Sequence, residues 1–246
     1  MSEQNDVVMK QLTIKQPPRM NYFGTETVNS ICTNISFSGR NVKTVMLTSC
    51  VASEGKSTMA MRLLIANAKR GKRTLLVDLD LRASTAAGEF GYHTKGKIYG
   101  MAHYLSGKKE LADVLYETNI PNAYVIPVGQ IVTNPLGLIN SENFDELFKQ
   151  LRDYFDLIIV DTPPIGIVID AADIARVCDG SVIVIEYGKR HRREVQDAAN
   201  QLQRTGTPVL GCIIDKVEPK SMSEKKYYSS RYYYYDGKDK SGDDKE

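Results

Sequence analysis

The chain has 246 residues, of which 42% are hydrophobic, so it can bury the core of one α/β domain. Its 32 basic and 30 acidic residues nearly balance, which excludes a strong overall attraction to nucleic acid or anionic lipid. The four cysteines are widely spaced and no apolar run approaches the roughly 20 residues of a membrane span, so we predict a cytoplasmic protein without a zinc or disulfide framework.

The order of predicted elements indicates the fold class. Residues 1–24 are polar and contain a Pro-Pro pair, which predicts a flexible N-terminal arm, and a helix is expected at 25–37. Apolar strand-like runs then alternate with helical patterns, which is typical of an α/β fold with a mostly parallel sheet and helices on both faces. The strands are predicted at 42–48, 74–77, 124–128, 157–160, 181–185 and 208–214, and the later helices at 57–70, 143–154, 171–178 and 192–205.

A candidate phosphate-binding loop lies between the first of these strands and the helix that follows it. The segment S-C-V-A-S-E-G-K-S-T matches the pattern G-x-x-x-x-G-K-S/T, except that Cys50 takes the place of the first glycine. In such a loop the backbone N–H groups bind phosphate, the lysine reaches the terminal oxygens and the hydroxyl ligates magnesium. These last two roles fall to Lys56 and Ser57. The predicted nucleotide contacts are Cys50, Val51, Ala52, Ser53, Glu54, Gly55, Lys56, Ser57 and Thr58.

Two further strands end in aspartate. The strand at 74–77 leads into Asp78 and Asp80, which the two-residue period of an extended chain places on one side. The strand at 157–160 leads into Asp161 and two prolines. One such aspartate alone could be an ordinary cap or turn residue. Because ligands bind at the carboxyl ends of parallel strands, three of them after a phosphate-binding loop predict a nucleotide site with magnesium.

The composition changes after Asp215. Residues 216–246 are rich in charged residues, serine and glycine and contain few aliphatic ones, which predicts a disordered tail. Six of the 14 tyrosines of the chain lie within nine residues of this tail, where core packing cannot explain them. They are Tyr227, Tyr228, Tyr232, Tyr233, Tyr234 and Tyr235.

The three motifs in this order, followed by the tyrosine cluster, resemble the bacterial tyrosine kinases of capsular and exopolysaccharide biosynthesis, in their soluble Firmicute form. The resemblance begins near residue 25 and implies a P-loop NTPase-like kinase domain over residues 25–215, with ATP and Mg²⁺ as cofactors. It implies that Lys56 engages ATP, and that Ser57, Asp80 and Asp161 hold the metal. It also implies that Asp78 and Asp80 act in catalysis with Lys56, and that Asp78 is the base for the tyrosine hydroxyl. The six tail tyrosines would accept phosphate.

The same resemblance implies protein partners. Family members of this kind are activated by a separate membrane-anchored protein of polysaccharide synthesis, which would recruit the chain to the inner face of the cell membrane, and a protein-tyrosine phosphatase would act on the product. Self-association is expected too. A stable ring is not predicted, because Asn29 and Cys32 follow Glu26 where the family's E-x-x-R-x-x-R helix has arginines. No nucleic-acid partner is predicted.

Two other functions fit parts of the sequence. A ParA-like or MinD-like ATPase would share the fold, but such proteins usually carry a lysine where Val51 stands and lack a terminal tyrosine run. A non-enzymatic module could stack its tyrosines on sugars or bases, but this would leave the ordered aspartates without a role. Incubation with ATP would distinguish the three functions. Tail phosphorylation indicates the kinase, ATP hydrolysis alone indicates the ATPase, and neither reaction indicates the non-enzymatic module.

Overall fold

A computed structural model describes residues 9–39 and 41–217 of the chain. The described residues up to Asp215 form one compact unit. In chain order its elements are β1 (Lys10–Ile14), α1 (Tyr22–Phe37), β2 (Thr44–Ser49), α2 (Lys56–Lys69), β3 (Thr74–Asp78), α3 (Ala86–Glu89), β4 (Tyr92–His93), α4 (Met101–Leu105), α5 (Leu111–Val114), β5 (Tyr116–Thr118), β6 (Ala123–Ile126), α6 (Leu136–Ile139), α7 (Glu142–Tyr154), β7 (Leu157–Asp161), α8 (Asp170–Ala175), β8 (Gly180–Glu186), α9 (Arg192–Arg204) and β9 (Val209–Asp215).

These strands form one sheet in the order β4-β1-β5-β6-β3-β7-β2-β8-β9. The six strands from β6 to β9 in this order run parallel, whereas β5 is antiparallel to β6 and β4 is antiparallel to β1. All six strands predicted from the sequence are present, and the predicted mostly parallel α/β sheet is confirmed. The central strands β2, β3 and β7 are buried along their whole length, because helices cover both faces of the sheet.

The core has one cluster of apolar side chains on each face of the sheet. Helices α1 and α2 pack on one face, where Val28, Leu63 and Leu64 are buried. Helices α7, α8 and α9 pack on the other face through residues such as Phe144 and Leu202. Within residues 9–39 and 41–217, no helix combines the length and the apolar character that crossing a membrane requires.

The prediction of a flexible arm over residues 1–24 is wrong for part of that segment. Residues Lys10–Ile14 form β1, which lies between β4 and β5 and buries Leu12 and Ile14. Helix α1 begins at Tyr22, three residues before the predicted start, because the Asn21 side chain accepts a hydrogen bond from the Gly24 N–H and caps the first turn. The predicted disordered tail with its six tyrosines lies outside the described residues from 218 onwards.

Candidate active site

The predicted phosphate-binding loop connects β2 to α2, as the sequence pattern requires. Gly55 immediately precedes the helix and has a left-handed backbone with φ of 87°. A Cβ atom at this position would lie 2.1 Å from Oδ2 of Asp215, at the end of β9. Both the backbone conformation and the close approach of this carboxylate therefore require glycine here.

Cys50 stands where the loop pattern has its first glycine, and the structure explains why a side chain is tolerated. Cys50 is not among the residues with positive φ, so its backbone does not need glycine. The close approach occurs instead at Gly166, in the loop after β7, where a Cβ atom would lie 2.3 Å from the Cys50 carbonyl oxygen. Burial, followed by the negative charge of Glu54, raises the pKa of the Cys50 thiol to about 11, so this thiol is neutral at physiological pH.

The loop is held by an ion pair that the sequence did not indicate. Glu54 is only 2% exposed, and its Oε2 accepts a hydrogen bond of 3.0 Å from the Val51 N–H. Its Oε1 lies 3.0 Å from Nε of Arg190, a close ion pair without a well-aligned hydrogen bond. Arg190 in turn contacts Glu194 at 3.0 Å. Arg190 belongs to a run of basic residues before helix α9, and its guanidinium fixes the loop.

Lys56 brings the predicted site residues together. Its Nζ lies 2.8 Å from Oδ1 of Asp161, 3.9 Å from Oδ2 of Asp80 and 3.2 Å from Oγ of Ser57. The side chain is 8% exposed, and burial by itself lowers the pKa of Lys56. The charges of Asp161, Asp80 and Asp78 and the hydrogen bond to Asp161 outweigh burial, so the pKa of Lys56 is raised above its ordinary value. The ammonium group is therefore charged within this site.

Asp78 is the most strongly perturbed carboxyl group of the site. It is 3% exposed and lies in register with Asp161 on the neighbouring strand. Burial, and then the negative charge of Asp161, raises the pKa of Asp78 to about 7. The Ser84 hydroxyl donates a hydrogen bond to one carboxylate oxygen, and the Asp80 N–H donates one of 3.2 Å to the other. Sequence reasoning missed Ser84, which has no motif of its own.

The three residues predicted to hold a metal ion surround the same ammonium nitrogen at the end of the sheet. Burial raises the pKa of Asp80, and Asp161 is almost completely buried. In the part of the chain that the structure describes, no group of three His, Cys, Asp or Glu side chains forms a metal site by itself. Mg²⁺ usually keeps several waters and binds one or two carboxylates together with substrate phosphates. Asp80, Asp161 and Ser57 therefore fit a magnesium ion that arrives with a nucleotide.

Arg82 lies in the loop after β3 and contacts both the first turn of α8 and the loop after β6. Its Nη2 lies 3.0 Å from Oδ1 of Asp170, a buried residue in the first turn of α8. Its Nη1 lies 3.4 Å from the carbonyl oxygen of Thr133, in the loop after β6. The guanidinium of Arg82 is thus paired with a buried carboxylate.

The fold and the site define a P-loop nucleotide-binding protein, and the family model described as "AAA domain" matches residues 43–205. The chain is 42% identical over 193 residues to Tyrosine-protein kinase CpsD of Streptococcus pneumoniae serotype 4, a match that covers 78% of this chain and 84% of that relative. The kinase domain of the Escherichia coli tyrosine kinase ETK has a similar structure, with a TM-score of 0.72, 27% identity, and coverage of 80% of this chain and 79% of that one. The chain belongs to the bacterial tyrosine kinases.

A more distant structural neighbour bears on the alternative function. The septum site-determining protein MinD of Pyrococcus horikoshii, solved with Mg-ADP, has a TM-score of 0.60 and 23% identity, over 70% of this chain and 69% of that one. This likeness shows a shared fold only. The tyrosine kinases are more similar both in sequence and in structure, so kinase membership is favoured over a MinD-like ATPase.

Proposed function

We propose that this tyrosine kinase uses ATP and Mg²⁺ to phosphorylate the tyrosine cluster of the C-terminal tail, and so regulates capsule or exopolysaccharide synthesis. The observation that carries the proposal is the convergence of the Lys56 ammonium with Asp78, Asp80 and Asp161 next to a phosphate-binding loop. The proposed acceptors are Tyr227, Tyr228, Tyr232, Tyr233, Tyr234 and Tyr235.

The loop residues have complementary roles in this proposal. The backbone N–H groups of residues 50–58 and the N-terminus of α2 bind the phosphates, and Lys56 places its positive charge against the terminal oxygens. Ser57, Asp80 and Asp161 would hold Mg²⁺, which when bound supplies further positive charge to the phosphoryl group. The contact between Glu54 and Arg190 keeps the loop in its binding conformation.

Asp78 is the proposed base. A tyrosine hydroxyl has an unperturbed pKa of about 10, so it is protonated near neutral pH and must lose its proton as it is phosphorylated. A carboxyl group with a pKa of about 7 is well matched to accept that proton at physiological pH. The hydrogen bonds from Ser84 and from the Asp80 N–H fix the orientation of the Asp78 carboxylate.

The decisive experiment incubates the purified chain with ATP and Mg²⁺ and maps phosphate by mass spectrometry. Phosphotyrosine within residues 227–235 is expected, and Lys56→Met should abolish it. Asp78→Asn should slow it by at least about 100-fold, the usual contribution of a general base. Asp153→Asn, a change at an exposed carboxyl group on helix α7, is the matched control and should keep the wild-type rate. ATP hydrolysis without phosphotyrosine would support the MinD-like alternative, and no ATP-dependent reaction would refute both.

We further propose that a membrane-anchored activator recruits this cytoplasmic chain to the inner face of the membrane, and that a protein-tyrosine phosphatase removes the tail phosphates. The resemblance to Firmicute members supports both partners. Co-expression with a membrane activator from the same polysaccharide locus should raise tail phosphorylation several-fold and shift the chain to the membrane fraction. Unchanged phosphorylation and unchanged location would contradict the proposed recruitment.

Self-association, in this proposal, does not use an arginine-based ring. Cys32, at the position of the second arginine of the family motif, is 2% exposed and accepts a hydrogen bond of 3.2 Å from the Asn67 amide. Asn29, at the position of the first arginine, donates a 3.3 Å hydrogen bond to Glu26. Helix α1 therefore directs the second motif position into the core, where it cannot contact a neighbouring subunit. Light scattering of the purified chain would test this, since a stable ring would contradict it.

A further inference from the structure

A cluster of lysines surrounds one aromatic ring near the edge of the sheet that carries the active site. The ammonium nitrogens of Lys10, Lys97 and Lys109 lie 5.8, 5.7 and 4.4 Å from the centre of the Tyr99 ring. Lys10 and Lys97 are exposed and Lys109 is half-buried. We call these three lysines and Tyr99 the lysine cluster. Its composition combines an aromatic face with several positive charges.

The positive charges of the lysine cluster are incompletely neutralised. Lys10 pairs with Asp113 at 2.6 Å, but the ion pairs of the described residues include neither Lys97 nor Lys109. Burial lowers the pKa of the neighbouring His103, and the charges of Lys97, Lys108 and Lys109 lower it further. Because like charges brought together repel one another, an anion bound at the lysine cluster would relieve this repulsion.

The lysine cluster lies on the same edge of the sheet as the catalytic carboxylates. The Tyr99 N–H donates a 3.0 Å hydrogen bond to the hydroxyl of Tyr116, the first residue of β5. Tyr116 pairs with Lys10 on one side and with Val125, near the end of β6, on the other. Strand β6 lies beside β3, which carries Asp78. Three strand spacings thus separate Lys10 from the strand of Asp78, a lateral distance of about 15 Å.

We propose that the lysine cluster binds a phosphorylated tyrosine from the tail of a second copy of this chain. The inference rests on the proposed function, which supplies the phosphotyrosine. Phosphotyrosine combines a charge of about −2 with an aromatic ring, so it matches both the lysines and the Tyr99 face. An anionic lipid shares the charge but offers no aromatic ring.

The spacing of the tail tyrosines fits this arrangement. Tyr228 and Tyr232 are four residues apart, about 13 Å in an extended chain. The most distant pair, Tyr227 and Tyr235, spans about 26 Å. One tyrosine can therefore lie beside Asp78 while another, already phosphorylated, lies in the lysine cluster. The first phosphate would then retain the tail and accelerate the addition of later phosphates.

The position of the tail within the chain favours a second copy as its source. Strand β9, after which the tail begins, is seven strand spacings from β1 in the sheet order, or about 33 Å. A flexible chain of the 12 residues from Asp215 to Tyr227 spans about 20 Å on average. The lysine cluster is thus more accessible to the tail of another molecule.

The test measures binding of a labelled synthetic peptide of residues 223–237 to the full chain without ATP, by fluorescence anisotropy. The phosphopeptide carries phosphate at Tyr228, and the unmodified peptide is its reference. Wild type should bind the phosphopeptide at least about tenfold more tightly, with an affinity that falls as salt rises. The double variant Lys97→Gln/Lys109→Gln should lose that preference, whereas Lys69→Gln/Lys149→Gln, which removes two exposed lysines elsewhere, should keep it within about twofold.

A second variant keeps the inference testable if the double lysine variant is unstable. Tyr99→Leu retains every lysine and should weaken phosphopeptide binding about two- to fivefold, as expected for a lost aromatic contact. Equal affinity for both peptides, or an undiminished preference in the lysine variant, would overturn the inference. So would binding of phosphatidylserine vesicles through these lysines without any preference for the phosphopeptide.

The synthetic peptide separates this inference from the proposed function. Phosphopeptide binding by a chain that makes no phosphotyrosine would refute the proposed function and support the lysine cluster as a site. Tail phosphorylation by a chain that does not distinguish the two peptides would refute the cluster alone. If the proposed function and the lysine cluster are both correct, Lys97→Gln/Lys109→Gln should form the first tail phosphate at the wild-type rate. It should add the later phosphates at least about threefold more slowly.

Discussion

Replacing Asp78 by asparagine should make the folding stability of this protein less dependent on pH. Asp78 is buried, and its two hydrogen bonds come from the Ser84 hydroxyl and the Asp80 N–H. The amide of Asp78→Asn has nearly the same shape, can accept from the Asp80 N–H through its oxygen, and can donate to Ser84 Oγ through its nitrogen. The variant therefore removes the titration of Asp78 while retaining its packing.

The expected size of this change in stability follows from the difference in the pKa of Asp78 between the unfolded and folded states. This pKa rises from 3.8 to about 7 on folding, so the folded chain binds the proton more tightly than the unfolded chain. The contribution of Asp78 to the free energy of unfolding therefore falls as the pH rises between these two values. One pKa unit corresponds to about 1.4 kcal/mol, which gives a loss of about 4 kcal/mol over the full window, and about 2.5 kcal/mol between pH 5 and pH 8.

The assay is urea denaturation of wild type and Asp78→Asn at these two pH values, in the absence of nucleotide. The variant should lose about 2.5 kcal/mol less stability than wild type as the pH rises. Asp113→Asn is the control. The hydrogen bond from Lys10 lowers the pKa of Asp113 from 3.8, so this carboxyl group is ionised in the folded and unfolded states at both pH values. This variant should therefore lose the same stability as wild type. If wild type and Asp78→Asn lose the same stability, the carboxyl group is not protonated near neutral pH and the reasoning about its burial and its neighbour Asp161 is wrong.

Three further substitutions test other features of the structure. Lys56→Met should destabilise the chain by about 3 to 5 kcal/mol in urea denaturation, because it leaves buried carboxylates without their cation. Gly55→Ala should cost at least about 1 kcal/mol more than Gly71→Ala and should weaken ATP binding measured by calorimetry; both glycines have left-handed backbones, but a Cβ at Gly71 meets nothing within 4 Å. Cys32→Arg should lower the thermal midpoint by many degrees because it buries a charge, whereas the half-buried Asn29 should tolerate arginine at a cost of less than about 1 kcal/mol.

A different outcome would contradict the prediction made for each substitution. A Lys56→Met variant as stable as wild type would mean that the aspartates are not held ionised by the lysine. Equal costs at the two glycines would mean that the Asp215 carboxylate moves aside freely. A well-folded Cys32→Arg variant would mean that helix α1 can turn this position out of the core.

The central part of the fold was predictable because each strand there is an apolar run that ends at a sharp change in polarity. Strand β3 has three apolar residues and strand β7 has four before a terminal aspartate, and the burial of both strands along their whole length places them in the interior of the sheet. Asp78 and Asp161 could thus be expected at the same edge. Their direct pairing could not, because strand order depends on packing over the whole sheet.

The remaining features depend on contacts between distant parts of the chain. Strand β1 is mostly polar, and its two buried positions gain their environment from β4 and β5, which both lie far away in the sequence. The ion pair between Glu54 and Arg190 requires β8 to lie beside β2, which neither local segment indicates. Ser84 reaches Asp78 through an irregular turn, and short helices such as α3 and α5 have only four residues, too few for a helical period.

The place of β1 in the sheet bears on how this protein can be shortened for laboratory work. A recombinant fragment that starts at α1 would retain every nucleotide-site residue and still lack the strand that joins β4 to β5. The outer backbone groups of β5 would then be free to pair with other molecules, and the apolar surface under Leu12 and Ile14 would face water. Such a fragment is expected to aggregate, so a useful N-terminal boundary falls before Lys10.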